Sequence, residues 1–275
     1  MRGSLMTEPP EPKPINNTRL RRFLFLALIK LLEHFRPQCG SVLFLSERIC
    51  VKYGESMTLS EASTMQFIAR NTSIPVPRVI CSFTYKGCAY LVMERIRGDM
   101  IGRRWSYRTA ESKAKILSQL KDFVSEMRRI PPPNLQVSNI DGGRLYDGRI
   151  YGPSQFGPFK SIQDFHYYLR GGLEANANIP EDVSKLIAWQ DGPWSTPVLT
   201  HGDLSSLNVL ARGDEVVGIV DWETAGWYPP YWEYTTASQV NPRNPFWKEE
   251  IDKFLDPMPR DLAMEKIRQR YFGDV

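Results

Sequence analysis

The sequence predicts an α+β fold of two lobes: a small antiparallel sheet with one inserted helix, then a mainly helical region. Three observations predict it. Four short strand-like runs fall between residues 41 and 93 and enclose one helical stretch. Helical periods dominate from residue 109 onward. Between those helices, Leu199 to Glu223 (LTHGDLSSLNVLARGDEVVGIVDWE) reads as strand, loop and strand, with polar residues at fixed spacings. A chain of 275 residues suits two lobes sharing a cleft.

Met1 to Asn17 is polar and Pro-rich and is expected to be a disordered leader. Residues 18–35 form an amphipathic helix, with Thr18 as N-cap and Pro37 beyond its end. The first lobe is placed at 36–97. VLFL and RICVKY are its first two strands, and Cys39-Gly40-Ser41 lies at the entry to the first. Ser60 to Thr72 is helical with Ser60 capping, because Met65, Ile68 and Ala69 share a face. Pro75 and Pro77 then keep the chain extended. Val79–Phe83 and Ala89–Met93 are two more strands, joined at Gly87 by a turn that admits a positive φ. Glu94 to Gly98 is a connector.

Residues 98–275 form the second lobe. Ile116, Leu117, Leu120, Phe123, Val124 and Met127 give Thr109 to Ile130 a helical period, which Pro131-Pro132-Pro133 stops. Residues 134–159 are rich in Gly, Asp, Tyr and Pro and read as an irregular surface segment. Helices follow at 161–171 and 180–190. Short strands follow at 199–201, 208–211 and 216–220. The stretch 227–234 is aromatic and broken by Pro, and helices at 245–255 and 259–272 finish the chain.

Composition narrows the function. Apolar content of 42% and charged content of 24% are ordinary for a globular protein. The net charge of +4 comes without a dense Lys/Arg block, so nucleic acid is not an expected partner. Four cysteines without a C-x-x-C pair, and only three histidines, argue against structural zinc and for reduced thiols in a cytoplasmic protein. The apolar run Phe23 to Ile29 is too short to span a bilayer, and no small-residue cleavage site follows it. That helix is expected to pack on the first lobe, with a membrane-surface role as the less favoured alternative. Nothing sets the oligomeric state.

The chemistry is concentrated at 199–223. Four residues separate Asp203 from Asn208, and Asp221 lies thirteen beyond Asn208. Phosphoryl transfer needs a carboxylate beside the attacking hydroxyl, to orient it and take its proton. It also needs an amide oxygen and a second carboxylate to hold magnesium, a hard cation that selects oxygen ligands. Asp203 suits the first role; Asn208 and Asp221 suit the second. His201 reads as a residue that ties the loop together rather than a catalytic one. Metal-dependent hydrolases also use H-x-D, but they need more His or Asp ligands than His34 and His166 supply. In the first lobe, Lys52 is an isolated cation inside an apolar strand, which marks either an edge position or a site for phosphates. Glu61, opening the next helix, is its candidate partner.

HGDLSSLNVL followed by IVDWE resembles the aminoglycoside phosphotransferase and choline kinase-like family, which shares the bilobal protein kinase-like fold. TSIPVPRVI and AGWYPPYWEY are similar to its fungal branch. The resemblance covers about residues 36–275. It implies that Asp203 is the catalytic base, that Asn208 and Asp221 bind Mg2+, and that Lys52 and Glu61 pair in the ATP site. It places the connector, Glu94 to Ile96, against adenine. Gly40 and Ser41 stand where phosphates would be capped, although one Gly there is also compatible with a plain turn. Trp222-Glu223 replaces the Phe-Gly of protein kinases, and only 52 residues follow Glu223. A small-molecule hydroxyl acceptor is therefore expected in preference to a protein. Its candidate contacts are Trp227, Tyr228, Tyr231, Trp232, Glu223, Glu233, Asp164 and Glu174. From Asp141 to Asp191 there are seven acidic and five basic residues, which is no signature of a pocket for polycations. A kinase-like binding or scaffold protein is the alternative reading.

Overall fold

The computed structural model describes residues 8–239, 242 and 244–273. The first lobe is a five-stranded antiparallel sheet made of β1 (Gln38–Cys39), β2 (Val42–Phe44), β3 (Ile49–Gly54), β4 (Val79–Tyr85) and β5 (Cys88–Glu94), in the order β1-β2-β3-β5-β4. Two helices sandwich it. Helix α1 (Arg19–Leu32) lies on the face formed by Leu43, Val51, Cys81, Phe83 and Val92. Helix α2 (Ser60–Asn71) covers the opposite face, with Met65 and Ile68 against Cys50, Leu91 and Met93. Strand side chains alternate between faces, so Lys52 shares the α2 side with Cys50, while Val51 points toward α1.

The β4–β5 turn uses positive φ at both central residues, Lys86 (+49°) and Gly87 (+81°). This is the primed geometry that matches strand twist. Helix α2 is not capped by Ser60 as expected. Leu59 is its N-cap, and the Ser60 hydroxyl instead meets Thr58 Oγ1 at 2.5 Å.

The leader also departs from expectation. Residues 1–7 lie outside the described residues, but 8–17 are laid along the protein. Ile15 and Ser82 exchange backbone hydrogen bonds at 3.1 and 2.9 Å, and Asn16 Nδ2 donates to Ile80 O at 3.0 Å. The physical reason is the open edge of β4, whose backbone groups need partners. Farther back, the Pro10 carbonyl sits so close to Gly143 that a Cβ there would lie 2.3 Å from it.

The second lobe begins with β6 (Asp99–Met100) and continues in α3 (Ala110–Arg129). Thr109 Oγ1 accepts from Ser112 N–H at the N-terminus of α3. The segment read as irregular contains a small hairpin, β7 (Leu145–Tyr146) and β8 (Gln155–Phe156). Then come α4 (Ile162–Leu169), α5 (Glu181–Gln190), β9 (Val198–Thr200), β10 (Val209–Arg212), β11 (Glu215–Ile219) and β12 (Gly226–Tyr228). Short helices α6 (Trp232–Ala237) and α7 (Trp247–Glu250) precede α8 (Pro259–Phe272). β10 pairs with β11 and β6, and β9 with β12.

A second core gathers Phe156, Phe165, Tyr228, Tyr231 and Trp232. His166 is wholly buried beside it. Its Nδ1 meets Gln190 O and its Nε2 meets Tyr231 Oη, each at 2.9 Å. A carbonyl can only accept, so Nδ1 carries a proton. Burial pushes its pKa down to about 4. The unfolded chain therefore binds one more proton between about pH 4 and the ordinary histidine value of ~6.5. Stability rises with pH across that window. Acidification from pH 7 to 5 is expected to cost about 2 kcal/mol through this residue. Urea titrations at both pH values should show that difference shrinking in His166→Gln.

Candidate active site

The loop between β9 and β10 is held from beneath. Glu233 on α6, fully buried, accepts from His201 N–H at 2.6 Å and Gly202 N–H at 3.2 Å, one through each oxygen. His201 bridges the two arms of the hairpin. Its Nε2–H donates to Val220 O at 3.1 Å, and its Nδ1 accepts from Asp203 N–H at 3.2 Å. Burial holds this imidazole below its usual pKa, so it stays neutral and acts as a brace. Gly202 has φ +80°, and a Cβ there would come within 2.9 Å of Thr224 O. No other residue fits that crossing.

The brace presents Asp203 and Asn208 together. Asn208 Nδ2 donates to Asp203 O at 2.9 Å and to Asp203 Oδ2 at 2.8 Å. The amide nitrogen is thus committed to Asp203, and the amide oxygen is the atom available to a metal. Burial raises the Asp203 carboxyl above its ordinary range, opposed by Arg149. Arg149 was not identified from sequence. It lies between β7 and β8, pairs with buried Asp147 at 2.7 Å, donates to Gly202 O at 2.6 Å and stands 3.5 Å from Asp203 Oδ1.

Across the cleft, Lys52 Nζ lies 2.9 Å from Glu61, 2.5 Å from Asp221 and 2.8 Å from Glu223. Burial works against its charge, but the three carboxylates outweigh burial and raise its pKa. The Lys52–Glu61 pair expected from sequence is therefore formed, and both partners are buried. Asp221 takes the left-handed conformation, φ +67° and ψ +57°, a strained state for a non-Gly residue that costs about 1 kcal/mol or more. That twist aims its side chain at Lys52. Glu223, expected among acceptor contacts, belongs instead to this cluster.

Carboxylate oxygens of Glu61, Asp221 and Glu223 lie within 4.8 Å of one another. One ammonium does not balance three carboxylates, and Asp203 adds a fourth nearby. An all-oxygen set with excess negative charge fits a hard divalent cation. Asp221, Glu223 and the Asn208 oxygen would hold it, with Glu61 retained by Lys52.

The remaining expected positions are more peripheral. Gly40 (φ +57°) and Ser41 form the exposed two-residue turn of the first hairpin, closed by Gln38 Nε2 donating to Gly40 O at 3.0 Å. Glu94 ends β5, its N–H donating to Arg78 O at 3.0 Å. Ile96 packs so closely on Gly218 that a Cβ there would lie 2.5 Å from Ile96 Cδ1. Trp227, Tyr228, Tyr231 and Trp232 are core residues, and Glu233 is internal, so none of the five is open to an acceptor. Asp164 and Glu174 are exposed.

Glu233→Gln replaces one acceptor oxygen with an amide that faces an N–H. The loop is expected to shift, and turnover to fall by about a hundredfold, with nucleotide affinity little changed. Steady-state kinetics on the variant separates the two.

A family model described as the phosphotransferase enzyme family matches residues 56–262. The fold is similar to a crystal structure of a thermostable mutant of aminoglycoside phosphotransferase APH(4)-Ia, with TM-score 0.55 and 13% identity over 88% of this chain and 86% of that one. It is equally similar to the gentamicin complex of APH(2")-IIa, with TM-score 0.55 and 13% identity over 93% and 87%. The streptomycin–ATP ternary complex of APH(2")-IIa matches with TM-score 0.53 and 14% identity over 91% and 87%. Subtelomeric hrmA-associated cluster proteins of two Aspergillus fumigatus strains share 33% identity over 76 residues, 26% of this chain. That match spans 14% of the length of those curated relatives.

Proposed function

Because the chain belongs to the phosphotransferase enzyme family, we propose that it transfers the γ-phosphoryl group of ATP to a hydroxyl of a small molecule, with Asp203 as base. The observation that carries this reading is the joining of Lys52 to Glu61 and Asp221 across the cleft, beside the Asp203–Asn208 pair. Asp203 takes the proton of the attacking hydroxyl, and burial, by raising its carboxyl pKa, makes it the stronger base. Asn208 fixes the rotamer of that carboxylate, and Arg149 ties its loop to the β7–β8 segment. Lys52 binds the nucleotide phosphates, and Glu61 keeps it in place. Mg2+, when bound, neutralises charge on the transferring phosphoryl group.

The acceptor enters from the second lobe. A cavity of about 950 Å³ in that lobe is walled by Tyr151, Phe159, Tyr167, Tyr168 and Tyr271, and none of Lys52, Asp203, Asn208 and Asp221 lines it. Among its lining residues Asp164 is the acidic one, while Arg268 and Arg270 are basic. The test is an ATP-consumption screen over aromatic alcohols, sugars, amino alcohols and aminoglycosides, with Asp203→Asn as control. Consumption that one acceptor class stimulates and Asp203→Asn abolishes supports the proposal. ATP binding with no consumption on any acceptor favours the scaffold reading, which the single glycine in the Gly40–Ser41 turn motivates.

A further inference from the structure

We propose that the outward face of α1 docks on an anionic membrane surface. A helix lying on a domain normally turns its polar face to water. Here the packed side, Phe25, Leu26, Ile29 and Leu32, and the outward side are both apolar. Leu20, Phe23, Leu24, Leu28, Leu31 and the following Phe35 are exposed, the last at 81%. These positions repeat at helical spacing and form one stripe. They are half of all large exposed apolar side chains among the described residues, so the patch is not scatter. The sequence-based expectation that this helix simply packs on the first lobe holds for one side only.

Charge identifies the occupant. Arg19, Arg21 and Lys30 are exposed and flank the stripe by helical position. A groove lined by Arg21, Leu24, Leu28, Arg78 and Ile80 runs from the helix to β4. A second groove shares Arg78 and Ile80 and adds Arg48, Arg95, Arg97 and Arg212, against Glu47 and Glu94. Apolar side chains rimmed by guanidinium groups match an interface of acyl chains and anionic headgroups. No helix among the described residues is long and apolar enough to cross a membrane, so the contact is peripheral. The α1 stripe itself lies on the sheet face opposite α2 and Lys52.

The test is sedimentation of the full chain with phosphatidylcholine vesicles, with and without phosphatidylserine. Binding is expected only with phosphatidylserine and is weakened by salt. Phe23→Ser with Leu31→Ser should lower partitioning by about tenfold or more. Arg21→Gln and Arg78→Gln should each lower it about fivefold. Unchanged thermal melting of these variants confirms that they fold. Absence of binding, equal binding to pure phosphatidylcholine, or indifference to all four substitutions overturns the proposal. So does a dimer dissolved by Phe23→Ser and Leu31→Ser without vesicle binding, which assigns the face to a second copy.

Discussion

Asp203→Asn is expected to lower turnover on the acceptor by about a hundredfold to ten-thousandfold, the range for losing a general base, while nucleotide binding is kept. The substitution changes no volume, and an asparagine at 203 still accepts one hydrogen bond from Asn208 Nδ2. The loop is fixed by other groups: Glu233 holds the His201 and Gly202 amides, and Arg149 holds the Gly202 carbonyl. The effect is therefore chemical. Turnover and the nucleotide dissociation constant, measured on the same preparation, read it out. Wild-type turnover in this variant would remove Asp203 from the proton transfer.

Lys52→Met has two separable consequences. Transfer should become undetectable, because among the described residues Lys52 is the cationic side chain paired with Glu61, Asp221 and Glu223. Stability should fall by about 3 kcal/mol, the cost of breaking a buried pair. Glu61 supplies most of this, since Asp221 and Glu223 keep about a third of their side-chain surface in water. Burial already raises the Glu61 carboxyl to about 7 with Lys52 opposing it, and removing Lys52 raises it further. A folded-state carboxyl above its unfolded value loses stability as pH rises, so the deficit should be larger at pH 8 than at pH 6. Glu61→Gln added to Lys52→Met should restore the melting temperature without restoring transfer. Denaturant melts at the two pH values, beside an activity assay, test each part.

The residues readable in the sequence were those whose meaning is local. Asp203, Asn208 and Asp221 belong to one hairpin, whose arms the Val220 N–H to Asn208 O bond joins, so their spacing is enough to group them. Lys52 was readable as an out-of-place cation in a strand, and Glu61 as the first acid of the next helix. Arg149 and the role of Glu233 were not, because they reach the loop from 53 and 31 residues away. In sequence Glu233 reads as an acceptor contact, because a buried carboxylate and an exposed one look alike there. Its partners, two backbone N–H groups, carry no side-chain signal. The Asp221 backbone twist is likewise a tertiary product, set by Lys52 and the 3-10 turn Trp222–Thr224 that follows. For α1 the period gave the helix correctly, but a stripe on each side cannot say which one the sheet covers.

The measurement that bears most directly on the central claim is the unfolding temperature with ATP, with Mg2+ and with both, for the wild-type chain and Asp221→Asn. If Lys52 and Asp221 form one metal–nucleotide site, both ligands together at a hundredfold excess over Kd add about 2.7 kcal/mol of stability. The midpoint then rises by several degrees, either ligand alone gives less, and Asp221→Asn loses the Mg2+-dependent part. An unchanged midpoint in every condition, or an ATP effect indifferent to Mg2+ and to Asp221, would contradict the account.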